Sequence, residues 1–372
     1  MPEATVNLAT KYSSKVDEVI KNGALSAPSI NNEYDFIGAK TVKVYSFDPV
    51  AMNDYTRSGS NRYGDPEELP DTLQELTLTQ DRSFTFTIDK GNKIDTPEGV
   101  REAAKALRRQ IDLVITPELD KYRFTKIAEG AGHVFFDTDG VTASTAYALF
   151  LKANEAIDES DIPAGGRVCN CSPKFLNLLK QDDNFVKQGD ISQNMLVQGQ
   201  VGEVDGVAIV KVAGSRLPAG CLFEITHAAA TVAPVKLEDY KIHQDPPGIS
   251  GQLCEGRVYY DAFVLDKKAD MISVVYGNTG SLTVTAAAGA DSTHSVITVS
   301  GNTAGGKLVY KGDYASAATA TAALDVGDSV SGWSEVPSTG IVTTASGKYI
   351  AVAVSVDDKV VSGGSVAAVV GA

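Results

Sequence analysis

Side chains able to hold a metal or carry out catalysis are few in this sequence, and their spacing is poor. The four cysteines are Cys169, Cys171, Cys221 and Cys254, and the four histidines are His133, His227, His243 and His294. Zinc knuckles typically leave about two to four residues between paired ligands, whereas Asn170 alone separates Cys169 from Cys171. On a strand such a pair points to one face, so the spacing predicts two small buried thiols. The histidines are scattered, and each is expected to make a local polar contact. Asp182-Asp183 and Asp357-Asp358 read as solvated turns in place of an acid–base pair. Asp137-Thr138-Asp139-Gly140 has the opening of a calcium loop without its later ligands or distal Glu. Gly130-Ala131-Gly132 closes a helical pattern where a phosphate loop would open one. Neither G-x-S-x-G nor H-E-x-x-H occurs. No catalytic residue, cofactor or metal site is expected, and the chain is not read as an enzyme.

Charge is instead concentrated in residues 53–70 (NDYTRSGSNRYGDPEELP), where Arg57 and Arg62 stand among Asp54, Asp65, Glu67 and Glu68. A solvated loop is one reading; complementary charge pairing across an assembly is the other. The segments on either side alternate with period two: residues 41–45 (TVKVY) and residues 83–88 (SFTFTI). They predict the two strands of a long hairpin, with residues 58–61 near its apex and the return beginning at 77–79. A hairpin of this kind is marginal alone, so it is expected to lie on its own domain or on another subunit.

The hairpin is followed by the longest helical pattern, residues 95–130. Asp95 and Thr96 suit an N-cap and Pro97 the first helical position. Val100, Ala104, Leu107, Ile111 and Val114 or Ile115 predict one buried stripe, with Arg101, Lys105, Arg108, Arg109 and Asp112 on the other faces. Pro117 is expected to bend or break the helix before the pattern resumes at Leu119, Tyr122 and Ile127. Residues 1–36 read as an arm ordered by a neighbour, or as a disordered leader. Further strands are predicted at 134–136, 168–171, 206–212, 222–225, 257–265 and 271–276, and helices at 143–157 and 173–179, the latter capped by Ser172. Residues 245–248 (DPPG) form a firm turn. This mixture lacks a regular βαβ rhythm and reads as α+β.

Near Gly277 the composition changes. Residues 279–372 hold eleven charged residues, no Cys and no Met, and short alternating runs separated by turns. They predict a small all-β sandwich of the Ig-like kind. The net charge of −14 argues against a general nucleic-acid-binding surface. No run is apolar for long enough to span a membrane, and residues 1–19 lack a signal-peptide core. The expectation is a soluble chain made in the cytoplasm.

Several stretches together resemble a tailed-bacteriophage major capsid protein of the Hong Kong 97 type, coat-protein branch. They are residues 42–64 (VKVYSFDPVAMNDYTRSGSNRYG), 80–92 (QDRSFTFTIDKGN), 104–124 (AKALRRQIDLVITPELDKYRF), 233–253 (APVKLEDYKIHQDPPGISGQL) and 255–274 (EGRVYYDAFVLDKKADMISV). The resemblance covers roughly 35–276. It implies an N-terminal arm (1–36) and an extended hairpin with the start of a peripheral domain (37–94). It further implies a spine helix with that domain (95–149), an axial domain (150–250) and return strands (251–277). Residues 278–372 are then an accessory domain facing outward, able to join capsomers or to meet the host surface. The implied function is a structural shell protein forming hexamers and pentamers of an icosahedral head around double-stranded DNA, without specific DNA binding. A separate scaffolding protein and a portal are implied as partners, no membrane is, and the location is the virion capsid, assembled in the host cytoplasm. The alternative is an encapsulin-type compartment. Asp54, Arg57, Arg62, Asp65, Glu67 and Glu68 are the expected assembly contacts. The lysine–asparagine crosslink of some members is not expected, since residues 54–68 contain no lysine.

Overall fold

The computed structural model describes residues 23–31, 34, 40–66, 68–94, 102–182, 200–277 and 282–371. The expected helix start at 95–97 lies outside the described residues, as does most of the arm and of the 277–280 boundary.

β1 (Thr41–Phe47) and β2 (Asp71–Thr77) pair antiparallel from Thr41 opposite Thr77 to Phe47 opposite Asp71. The returning strand of the hairpin is therefore β2, which corrects the pairing expected with residues 83–88. Period-two alternation says which face a residue takes, not which strand lies beside it. Residues 83–88 belong to β3 (Gln80–Asp89), in another sheet.

That sheet anchors one compact unit, which includes Thr79–Asp120 and Val235–Asp261. Here β10 (Val235–Gln244) turns through Asp245 and Gly248, both at positive φ, into β11 (Gly251–Tyr260), which pairs with β3. Gly256 lies opposite Phe84 on one side and Tyr240 on the other, and a Cβ there would collide with the Phe84 ring. The two rings meet over the glycine, 6.2 Å between centroids. α1 (Lys90–Ile94) and α2 (Ala103–Gln110) follow β3, and Ala103 packs with Ile88 and Cys254. Ala104 and Val114, expected on the buried stripe, are exposed. The register is set one residue earlier, by Ala103. It then shifts in a π-turn over Ile111–Ile115, where the Thr116 N–H bonds to Ile111 O. That wider turn admits Pro117 as the second residue of α3 (Thr116–Glu129), a position that needs no proline N–H. Of the bend or break expected at Pro117, no break occurs: the chain stays helical from the π-turn into α3.

The second unit contains Leu25–Leu78, Lys121–Pro234 and Ala262–Ala372. Its centre is a six-stranded mixed sheet, in order β4 (His133–Phe136), β13 (Ile272–Tyr276), β8 (Cys221–His227), β5 (Arg167–Cys171), β7 (Val207–Lys211) and β6 (Gln200–Val204). β9 (Thr231–Val232) and β12 (Phe263–Val264) make a small ladder beside it. Alternate residues build two cores. Cys169, Cys171, Ile209, Phe223, Ile225 and Val275 pack against α4 (Ala146–Asp158) and α5 (Pro173–Gln181). Phe175 and Phe223 rings lie 4.3 Å apart, and Ser172 Oγ caps α5 by accepting the Phe175 N–H. Val168, Val210, Ile272, Val274 and Tyr276 face the other way.

That second face is covered by Phe124 and Ile127 of α3, by Leu25, and by the strands after residue 282. These strands form two sheets. One joins β14 (Thr283–Ala288), β15 (His294–Ser300) and β18 (Ile341–Thr343); the other joins β17 (Ser334–Glu335), β16 (Lys307–Tyr314), β19 (Tyr349–Val356) and β20 (Lys359–Ala367). A short α6 (Ala317–Ala322) interrupts the β pattern, capped by Ser316. Val284, Ile297, Val342, Ile350, Val352, Val354 and Val361 lie in one continuous apolar cluster with the body residues. Asn302 Nδ2 donates to Leu217 O at 2.7 Å, the Ala219 N–H bonds to Ala304 O at 2.7 Å, and Lys359 Nζ sits 4.9 Å over the Phe136 ring. Gly220, at φ 70°, lets the backbone of Val361 approach where a Cβ would collide. The composition shift at 277 thus marks a change of style, not a gap in the core.

Fully burying each large apolar side chain is worth about 1.5–3 kcal/mol, against a typical total stability of about 5–15 kcal/mol. A chain ending at Gly277 uncovers several of them. It is expected to be insoluble or to melt far below the full chain, read by soluble yield and calorimetry. In the other unit, Gly256→Val is expected to lower the melting temperature by several degrees through displacement of Phe84, while Phe84→Ala in that background adds less than it does alone.

Candidate functional site: the β1–β2 hairpin

The hairpin's base is fixed by side chains of the loop that carries β12. Gln74 Nε2 donates to Val264 O and to Asp266 Oδ1, each at 2.9 Å, and Gln74 Oε1 accepts the Asp266 N–H at 3.2 Å. Lys267 Nζ reaches Asp48 Oδ1 at 2.5 Å, and the ladder closes with the Asp48 N–H on Pro70 O. Leu76 and Leu78 are buried below it.

One face of the ladder is uncovered. Lys43, Tyr45 and Phe47 alternate onto it from β1, opposite Glu75, Leu73 and Asp71 of β2. Lys43 and Glu75 pair at 2.7 Å, and that hydrogen bond raises the Lys43 ammonium above its usual range. Leu73 lies opposite Tyr45, and large apolar side chains of both the strands and the connecting loop stand exposed. Tyr45 is 62% exposed, Phe47 66%, Met52 98% and Tyr63 84%; Val50, Tyr55, Leu69 and Leu73 are exposed as well. Tyr55 and Tyr63 stack edge-on, 5.0 Å between centroids, and together with the Thr56 N–H on Arg62 O they hold the tip in shape.

The charged residues predicted as contacts lie in the loop that connects β1 to β2, among Met52, Tyr55 and Tyr63. Asp54, Arg57, Arg62, Asp65 and Glu68 are all exposed; Glu67 lies outside the described residues. Arg62 Nε donates to Gly59 O and Asp65 Oδ1 accepts from Asn61 Nδ2, both local turn bonds. Among the described residues Arg57 and Arg62 form no ion pair, so these charges are not brought together within one chain. Sequence reasoning followed the charges and missed the apolar face. Its signal was present in the alternation of Lys43, Tyr45 and Phe47, read against a strand with nothing to cover it.

The other residues able to do chemistry are placed structurally. All four thiols are free and buried. The histidines make local contacts: His133 with Ser160, His227 with Gly165 O, His243 with Glu255 and His294 with Asp291. Among the described residues no group of three His, Cys, Asp or Glu side chains could hold a metal ion. No helix among them is long and apolar enough to cross a membrane.

No family model matches the chain, and no curated protein matches it in sequence. Its fold does match solved structures. A chain from Mycobacterium phage Che8 superposes with a TM-score of 0.59 at 15% identity, covering 72% of this chain and 96% of that one. The bacteriophage PhiM1 mature capsid gives 0.57 at 13% identity, covering 73% and 92%. The capsid of cyanophage P-SCSP1u gives 0.56 at 15% identity, covering 72% and 92%. The chain therefore has the fold of phage capsid chains.

Gln74→Ala removes three hydrogen bonds at the hairpin base, each worth about 0.5–1.5 kcal/mol. It is expected to raise hydrogen exchange across residues 41–77 and to leave exchange in β8 and β13 unchanged.

Proposed function

We propose that this chain is the major capsid protein of a tailed phage, with the Hong Kong 97-type fold. Its copies would associate into hexamers and pentamers of an icosahedral head around double-stranded DNA. The observation that carries the reading is the uncovered apolar face of the hairpin in a chain whose fold is that of phage capsid chains. A concentration of exposed large apolar side chains of this kind marks a protein–protein contact. A neighbouring copy is the partner that a shell fold supplies, and Tyr and Phe are the residue types that dominate such contacts. In a complex of obligate size, burying about 2,000 Å² or more, the face would be covered by mass action even though no single chain covers it.

The charges at the tip belong to the same reading. Asp54, Arg57, Arg62, Asp65, Glu67 and Glu68 would sit at the polar rim of the contact, where charge sets register and partner choice more than affinity. The net charge of −14 suits a wall that holds DNA without gripping it. The matched chains come from phages, which favours a head over an encapsulin-type compartment. Residues 282–371 would form an accessory domain built onto the body, with the strands turned away from the body's sheet available to neighbouring capsomers or the host surface.

The test is the double substitution Tyr45→Lys with Phe47→Lys. Both side chains are already exposed, so the chain is expected to fold with a melting temperature within a few degrees of the wild type. Assembly should fail: sedimentation and electron microscopy should show free chains or small oligomers where the wild type gives closed particles. Normal particles from the double variant would contradict the reading.

A further inference from the structure

One buried polar cluster has no part in the hairpin. In the middle of the six-stranded sheet, on the face away from α4 and α5, Asn170 of β5 lies directly opposite Glu224 of β8, and both are fully buried. Asn170 Nδ2 donates to Glu224 Oε1 at 3.2 Å and to Ser29 Oγ at 2.9 Å, which uses both amide hydrogens. The other two oxygens of the pair, Asn170 Oδ1 and Glu224 Oε2, are buried without a donor. Both leftovers are acceptors, and among the described residues no cation pairs with Glu224. A buried carboxylate in that setting is unfavourable on both counts.

One proton removes both deficits. Placed on Glu224 Oε2, it forms a hydroxyl that donates to Asn170 Oδ1 while Nδ2–H donates back to Oε1, closing a ring of two hydrogen bonds. We propose that Glu224 and Asn170 form this neutral acid–amide ring, and that the ring is a proton-operated latch holding the N-terminal segment against the sheet. The segment it holds is short and stitched at several points. Ser29 Oγ receives the second Asn170 hydrogen, the Asn31 N–H bonds to Thr231 O at 2.7 Å, and Arg123 Nη1 donates to Ser26 Oγ at 3.1 Å. Leu25 enters the apolar layer beside them. Losing the proton would leave a charge facing Asn170 Oδ1, turning the pair that orients Nδ2 toward Ser29 into a repulsive one.

The groups around the ring leave it as the element that titrates. Burial pushes the Glu224 carboxyl well above the ordinary carboxylate range, and the Asn170 hydrogen bond opposes this only in part. Cys221 on β8, Cys169 on β5 and Tyr276 on β13 feel Glu224, and burial pushes all three up, so they stay neutral. α3 contributes Arg123, held on Ser26, and Glu129, which acts on Tyr276 together with Asp357 from the β19–β20 turn. The segment itself contributes serines.

The sign follows from linkage. The folded carboxyl holds its proton at pH values where the unfolded one has released it, so the latch is complete below the ordinary carboxylate range. It weakens as pH rises toward the raised value, opening becoming about tenfold easier per unit of pH. The test compares the full chain with Glu224→Gln, whose amide can close the same ring with no proton to lose. Hydrogen exchange of residues 25–31, corrected for the intrinsic pH dependence of exchange, is followed from about pH 5 to about pH 9. The expected result is equal protection at the acid end. Between the ordinary carboxylate range and the raised value the wild type should lose protection about tenfold per unit of pH and then level off, while Glu224→Gln stays flat throughout. Parallel profiles for the two proteins would overturn the proposal. Infrared spectroscopy of the wild type alone gives a second readout at about pH 8, where ordinary carboxyls are ionised. A neutral carboxyl band is expected there, and its absence would overturn the proposal even if the variant failed to fold.

Discussion

The constraint on which this structure depends is a sheet that is apolar on both faces. β5, β8 and β13 alternate Cys, Val, Ile and Phe so that neither side can meet water, and each side needs its own cover. One cover comes from nearby in sequence, α4 and α5. The other is assembled from distant pieces: Leu25, Phe124 and Ile127 of α3, and strands beyond residue 282. At about 25 cal/mol for each Å² of apolar surface removed from water, a body without those strands would lose much of what holds it together. The C-terminal strands are part of the same core, and the few polar atoms beneath the cover, Asn170 and Glu224 among them, are forced into close pairing with each other.

Among the described residues, the hairpin and its connecting loop hold most of the large apolar side chains left exposed. Tyr45 and Phe47 on β1, and Met52 and Tyr63 in the connecting loop, stand in solvent, while the ladder is held by Gln74, Lys267 and two buried leucines. A ribbon that was loose at its root would lose entropy on meeting a partner. One that is fixed there presents its apolar face in a set direction. Packing in the body therefore connects to function through rigidity: the sheet positions the loop carrying β12, that loop holds Gln74, and Gln74 aims the hairpin.

Much of the local structure was legible in the sequence. Alternation located β1 and β3, and short apolar runs located β7 and β8; Ser172 announced α5; Asp245-Pro-Pro-Gly announced the β10–β11 turn; Cys169 and Cys171 were placed inside by their spacing. Partnership was not legible, because a period of two fixes a face and leaves the neighbour open. That is why 83–88 was paired with the wrong strand and β2 was missed. The π-turn before Pro117 also escaped, since hydrophobic spacing assumes a constant helical rise. The shift to Ala, Thr and Ser near residue 277 described a change in strand chemistry; it carried no information about Val361 lying against Gly220. At the candidate site the charges drew attention by their density, whereas the informative feature was apolar residues with nothing opposite them.

The central claim is that the hairpin's apolar face is buried against another copy in an assembled shell. Oxidative footprinting of Met52, Tyr45 and Tyr63 tests it directly, comparing closed particles with dissociated chains of the same protein. The account expects rapid modification in the free chain, as their exposure requires, and strong protection in the particle. Equal reactivity of the three residues in both states, in particles shown intact by microscopy, would contradict it.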